Sequence, residues 1–137
     1  MPVFSSKSKA ALSTCHPDLQ TIFNHVIRFY DCIVLEGFRN EEDQNKALAS
    51  GHTKLQWPNG KHNTYPSMAV DAAPFPLDFS NEKQLRVFAG FVLGSSCVMK
   101  AHGFIQHDVR WGGAWDGLGR LNKPGMLNDL VHFELVP

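Results

Sequence analysis

The chain has 137 residues, 43% hydrophobic and 19% charged, which suits one domain built around one core. Its 13 basic and 13 acidic side chains cancel, so there is no basic field to hold nucleic acid or an anionic membrane. Cys15, Cys32 and Cys97 are scattered without a CxxC pair, which excludes a disulfide framework and points to synthesis in a reducing compartment.

Met1 to Ser8 lacks the apolar centre of a signal peptide, and no stretch reaches the roughly 18 apolar residues of a membrane span. A short, weak helix is expected around Lys9 to Leu12. A stronger one starts at Pro17, which suits a first turn, with Asp18 beside the positive helix end. Leu19, Ile22, Phe23, Val26, Ile27 and Tyr30 form a single apolar stripe, with His25 on the solvent side. Cys32 to Leu35 reads as a strand. Asn40 is placed to cap a helix running from Glu41 to about Ser50, with Asp43 as its partner and Gly51 just past the end.

Residues 52–66 read as a polar loop. Met68 to Ala73 is a short apolar run of strand type, stopped by Pro74-Phe75-Pro76. Ser80 is expected to cap the longest helix, about Asn81 to Ala101. Leu85, Phe88, Ala89, Val92 and Leu93 form its core stripe, and Val87, Phe91, Val98 and Met99 widen it, which predicts a central helix buried on nearly all sides. Gly103 ends that helix. Phe104 to Trp111 alternates as a strand, Gly112 to Leu127 is a long glycine-rich loop, and Leu130 to Val136 is a final strand. Helices first, then mixed strands and helices, predict an α+β fold with a small antiparallel sheet packed against helices.

Two segments carry residues that a plain core would not. Asp71 lies inside an apolar run, where a lone carboxylate is costly unless paired or bound to a metal. His132 lies inside the last strand. With His62, nine residues before Asp71, they make two imidazoles and one carboxylate, a common zinc set that leaves a fourth position open. Each has a plainer reading: His62 as a surface residue, His132 as a hydrogen-bonded core histidine, Asp71 as a carboxylate satisfied by backbone donors. Asp129, three residues before His132, is either a turn cap or the general base of a hydrolytic zinc site. Glu134 shares the face of His132 and reads as a partner orienting an imidazole rather than as a rival ligand. Arg39 is either an ordinary surface arginine or a guanidinium reaching into a cleft.

Several motifs occur in order over about residues 30–136. They are Gly37-Phe38-Arg39 with Gln44; Lys61-His62; Pro66-Ser67-Met68-Ala69-Val70-Asp71-Ala72-Ala73-Pro74; Arg110-Trp111-Gly112-Gly113 with Trp115-Asp116; and Asp129, His132 and Glu134. In combination they resemble the zinc peptidase family that includes D-alanyl-D-alanine carboxypeptidases and dipeptidases and the phage L-alanyl-D-glutamate endopeptidases. Single-domain phage endolysins acting on Gram-negative walls are the most similar members.

The resemblance implies the fold of the hedgehog and D-alanyl-D-alanine peptidase group. It implies Zn2+ on His62, Asp71 and His132, Asp129 as catalytic base and Arg39 as oxyanion stabiliser. The implied substrate is the peptidoglycan stem peptide, cut at the L-alanyl–D-glutamate bond. The implied enzyme is a monomer that does not insert into membranes, is made in the host cytoplasm and acts on the periplasmic wall at lysis. The rival implications are a D-alanyl-D-alanine carboxypeptidase and an inactive zinc-stabilised wall-binding module; the second has no need of Asp129 or Arg39. Ala114 replaces a usual Asp, and Leu118 and Arg120 stand among Asp116 and Asn122, where some phage members place oxygen ligands for a regulatory calcium.

Overall fold

Side chains alternate across a β-strand, so strands with one apolar and one polar face divide their sheet into a buried side and an open side. A computed structural model, describing residues 1–137, carries that division through four antiparallel strands. They are β1 (Cys32–Glu36), β2 (Ala69–Pro74), β3 (Asp108–Gly112) and β4 (Asp129–Val136), in the spatial order β1-β2-β4-β3. Val34, Val70, Ala72, Trp111, Phe133 and Leu135 belong to the core side. On the other side Glu36, Asp71 and His132 are paired in a row across three neighbouring strands. A bulge between Val34 and Glu36 adds one residue to β1, which brings Glu36 opposite Asp71. The fold is the α+β arrangement that the order of elements predicts.

Four helices frame the sheet: α1 (Ser6–Ser13), α2 (Pro17–Val26), α3 (Glu41–Ala49) and α4 (Glu82–Ala101). Leu19, Ile22, Phe23 and Val26 of α2 and Phe88, Ala89 and Val92 of α4 pack under the core side. Phe133 is their meeting point. The rings of Phe23 and Phe88 stand edge-on to it, with centroids 5.8 Å and 6.2 Å away. Tyr30 lies beyond the end of α2 and still reaches Phe88, at 5.1 Å.

Helix α1 closes the free edge of β1. Ser8 Oγ accepts from the Val34 amide at 3.1 Å, and Thr14 Oγ1 accepts from the Phe38 amide at 2.8 Å. The approach is close enough that a Cβ on Gly37 would lie 2.3 Å from Thr14 Oγ1 and 2.5 Å from the Ala11 carbonyl oxygen. Only glycine fits there, and its carbonyl is thereby aimed at the open side of the sheet.

Several expectations change in the fold. The first helix is longer than Lys9 to Leu12, because Ser5 caps it by accepting from the Ser8 amide. Helix α4 starts at Glu82 with Asn81 as its cap; Ser80 is already held by Asp78, which accepts from both its amide and its hydroxyl. Nor is α4 buried all round: Val87 and Val98 are 61% and 59% exposed, since the sheet and α2 cover only one stripe. Strand β3 begins at Asp108 rather than Phe104. Asp18 Oδ2 accepts the amides of Gln106 and His107, at 2.9 Å and 3.2 Å, and so takes donors a strand ladder would use. His25 is half-buried, its ring 5.0 Å from that of Phe29.

Because Phe133 joins both helices to β4, Phe133→Ala is expected to cost about 3–5 kcal/mol, a large part of a typical domain's stability. Chemical unfolding monitored by far-ultraviolet circular dichroism measures this. A loss under about 1 kcal/mol would mean that β4 is anchored elsewhere.

Candidate active site

Three side chains converge on the open side of the sheet. His62 comes from a short 3-10 turn, Lys61–Asn63, rather than from an irregular loop, and it is buried. That turn is fixed by the Arg39 amide donating to the His62 carbonyl at 2.7 Å, and by Asn63 Oδ1 accepting from the Gly60 amide at 2.9 Å. Asp71 and His132 are directly paired residues of β2 and β4. His62 Nε2 lies 3.2 Å from Asp71 Oδ1 and 3.3 Å from His132 Nδ1, and His132 Nδ1 lies 3.3 Å from Asp71 Oδ1.

The outer ring nitrogens decide what those atoms carry. His62 Nδ1 is 2.7 Å from the Gly37 carbonyl, which can only accept, so Nδ1 bears the proton. His132 Nε2 is 2.8 Å from Glu134 Oε1, and a carboxylate likewise accepts. In the neutral imidazoles, His62 Nε2 and His132 Nδ1 are therefore bare lone pairs facing each other and a carboxylate oxygen. Three such atoms repel unless a cation lies among them. Bonds of about 2.0–2.1 Å at a tetrahedral angle separate two zinc ligands by about 3.3 Å, and the observed triangle matches that edge. The donor set and its spacing fit zinc.

The charges around the triangle favour a cation as well. Burial alone would raise Asp71, but His62 and His132 outweigh it and hold the carboxyl far below the usual range. Burial pushes His132 down, yet its hydrogen bonds to Asp71 and Glu134 prevail and lift it to about 9. A proton is one answer to this negative field, and a divalent metal is another. Glu134 is itself lowered to about 2: its hydrogen bonds with His132 and Arg110 overcome the cost of burial. Arg110 donates to Glu134 Oε2 from Nη2 at 2.7 Å, across the β3–β4 pairing.

Asp129 stands at the start of β4, its Oδ2 4.0 Å from His132 Nδ1. Burial and the nearby Asp71 charge raise its pKa, against the pull of His132, His62 and Arg39. A raised carboxylate beside a metal site can hold a proton transiently. A Cβ on Gly112 would lie 2.0 Å from the Asp129 carbonyl oxygen, so glycine alone lets β3 come this near.

Arg39 is buried rather than at the surface. Its Nε and Nη2 donate to Glu36 Oε1 and Oε2, each at 2.8 Å, and Nη1 donates to Gln44 Oε1 at 3.0 Å. Its hydrogen bonds to Glu36 raise its pKa further despite burial. Three of five guanidinium N–H groups are thus spent on holding the fork still, and two make no hydrogen bond. Glu36 was not singled out in the sequence; its signal is a carboxylate three residues before Arg39. Asn63 also went unnoticed, and its Nδ2 links the Arg39 carbonyl to Gln44 Oε1 at 3.1 Å and 3.0 Å.

Arg39, Asp71 and Asp129 border a cleft of about 760 Å³ that also contains Glu36, Phe79 and Leu127. His62 and His132 face a smaller pocket of about 180 Å³ that Arg39 and Asp129 also line. The Trp115 ring lies 5.5 Å from that of His132. The glycine-rich loop before β4 is stapled by Asn122, whose Oδ1 accepts from the Trp115 amide at 2.9 Å and whose Nδ2 donates to the Gly112 carbonyl at 2.9 Å. Ala114 is buried in the core and Asp116 is exposed. A second His and Asp cluster, His16, Asp18 and His107, ties α2 to the start of β3. His16 Nδ1 caps α2, and Asp18 Oδ2 takes His107 Nδ1 at 2.7 Å besides two backbone amides.

Among solved structures, the crystal structure of the Serratia marcescens L-Ala D-Glu endopeptidase ChiX is similar in fold, with a TM-score of 0.63 at 21% identity, over 98% of this chain and 90% of that one. No curated protein matches the chain by sequence. The family model described as phage L-alanyl-D-glutamate peptidase matches residues 2–136. With nearly every residue inside that match, the chain belongs to the phage L-alanyl-D-glutamate peptidase family and is a peptidoglycan endopeptidase.

Proposed function

We propose that the chain is a monomeric, zinc-dependent endolysin that hydrolyses the L-alanyl–D-glutamate bond of the stem peptide in Gram-negative walls, reaching the periplasmic wall at lysis. It works as one domain over residues 1–137. The observation that carries the zinc reading is the triangle of His62 Nε2, Asp71 Oδ1 and His132 Nδ1, with edges of 3.2, 3.3 and 3.3 Å and both outer imidazole nitrogens already bonded to acceptors. No helix is long and apolar enough to cross a membrane.

In this reading His62, Asp71 and His132 hold the metal, and Glu134 and the Gly37 carbonyl keep the imidazoles in the ligating tautomer. Zinc held there supplies a Lewis acid and lowers the pKa of the attacking water toward about 7. Asp129 takes the proton of that water as it attacks the scissile carbonyl. Its raised pKa lets it keep that proton and hand it to the leaving amine. The two free N–H groups of Arg39 hold the oxyanion that develops on the carbonyl oxygen. Because the fork is already fixed by Glu36 and Gln44, little reorganisation is needed at that moment.

Mass spectrometry of purified Gram-negative peptidoglycan after digestion tests the bond. New N-terminal D-glutamate is the expected product, and free D-alanine instead would make the enzyme a carboxypeptidase.

Asp129→Ala is expected to keep metal and fold but to lose about 10²–10⁴-fold in turnover. Atomic absorption and wall-lysis rates on one preparation check both halves; metal loss in the variant would make Asp129 a ligand. Arg39→Lys is expected to lower kcat by about 10²–10³-fold, since a point-charge ammonium does not reproduce the fork. A change confined to KM would reassign Arg39 to substrate binding.

Chelation should lower the melting temperature, because a metal bound only by the native state stabilises it by about 2.7 kcal/mol at a hundred times its Kd. His132→Ala should melt low with or without chelator. A wild-type melting temperature indifferent to chelator would remove the metal from this account. Calcium added to zinc-loaded enzyme should not raise its rate, since Asn122 is consumed in stapling the loop and Asp116 is the only carboxylate within residues 113–128.

A further inference from the structure

The pocket on the His62 and His132 side of the site holds one resource the mechanism above leaves unused. Besides the two histidines of the triangle, four basic side chains border this pocket and the main cleft: Arg39, His52, Lys54 and Lys61. Three are committed. Arg39 is held by Glu36 and Gln44. Lys61 Nζ donates to the Leu135 carbonyl at 2.9 Å and stands 3.7 Å from Glu134 Oε2. His52 Nδ1 is 2.8 Å from Ser50 Oγ. Lys54 has neither an ion-pair partner nor a side-chain hydrogen bond, yet it lines the same small pocket as two of the three metal-triangle residues.

Its backbone is anchored although its ammonium is free. The fully buried Gln44 donates from Nε2 to the Leu55 carbonyl at 2.7 Å, and Thr53 Oγ1 accepts from the Leu55 amide at 3.1 Å. The Oε1 of that same Gln44 receives Arg39 Nη1. One buried amide therefore fixes both the guanidinium beside the metal triangle and the segment that carries Lys54. A lysine on a pinned segment gives up less freedom on binding an anion than one on a loose loop.

We propose that Lys54 is a specificity-determining residue that takes the free carboxylate of the D-glutamyl residue on the amine side of the scissile bond; this rests on the bond assigned under Proposed function. An L-alanyl residue brings no charge to the site. A D-glutamyl residue inside a stem peptide has one carboxyl in amide linkage and one free. Glu36, Asp43 and Glu82 line the main cleft and repel an anion there. The pocket of about 180 Å³, too small for more than about one residue, also carries Asp129 and Glu134, but Glu134 is already paired with His132, Arg110 and Lys61, and Lys54 is there to receive the anion. The D-glutamyl residue therefore occupies the Lys54 pocket, and the main cleft takes the rest of the chain.

The test compares two synthetic stem peptides that differ only at this group, one with the free carboxylate and one with a carboxamide. Wild type should cut the carboxylate peptide with kcat/KM about ten-fold or more above the carboxamide peptide, a preference that shrinks as salt is added. Lys54→Gln should lose that factor on the carboxylate peptide, keep the wild-type rate on the carboxamide, and leave the melting temperature unchanged. Lys54→Arg should keep most of the preference. Should Lys54→Gln retain the wild-type preference, or slow both peptides equally, the assignment is overturned while the bond stands. A wild type that cuts neither peptide at this bond overturns the bond and Lys54's role together.

Discussion

The pairing of Asp71 with His132 across β2 and β4 is the constraint on which the site depends. Side chains alternate with a period of two, so the register that brings these residues together also buries Val70 and Phe133 on the opposite face. A slip of one residue would place the carboxylate and the imidazole in the core and expose the phenylalanine. The hydrophobic effect acting on one face therefore enforces the geometry of the other. The packing of Phe23 and Phe88 on Phe133 is the mechanical support of the triangle, although none of the three rings touches it.

Around that pairing each polar group holds the next. Arg110 and Lys61 stand against Glu134, Glu134 takes the outer nitrogen of His132, and the Gly37 carbonyl takes that of His62. Glu36 and Gln44 hold Arg39 in the same way. Charged groups this buried are tolerable only because each has a partner, and no buried side-chain nitrogen or oxygen is left without one. Rigidity and charge satisfaction come from the same bonds. What they leave over is two lone pairs facing a carboxylate, and two guanidinium N–H groups without a hydrogen bond.

Two glycines set distances that no other residue permits. Gly37 lets α1 press on the end of β1 and so aims its carbonyl at His62; Gly112 lets β3 press on the backbone of Asp129. Both stand in the motifs that carry the family resemblance, and both matter for the side chain they lack.

The α+β class, the stripes of α2 and α4, the cap at Asn40 and the stop at Gly51 were legible in the sequence, because each follows from a local period or from one residue's backbone preference. Asp71 and His132 stood out as polar residues in apolar runs, His62, Asp129 and Arg39 were candidates beside them, and the family motifs named roles for all five. Which of their plainer readings fails, however, is a matter of distance, and distances between residues 9, 61 or 70 positions apart are set by the register of β2 on β4 and by the turn that carries His62. For the same reason the sequence overstated the burial of α4, since amphipathicity says which residues are apolar and not how much neighbour exists to cover them. It also missed Glu36, whose side chain reaches the site only through a bulge, and the donors that Asp18 takes from the start of β3. Local chemistry determined the elements and the cast of polar residues. Only the tertiary structure decided which atoms of that cast face one another, because burying one face of the sheet fixes the other.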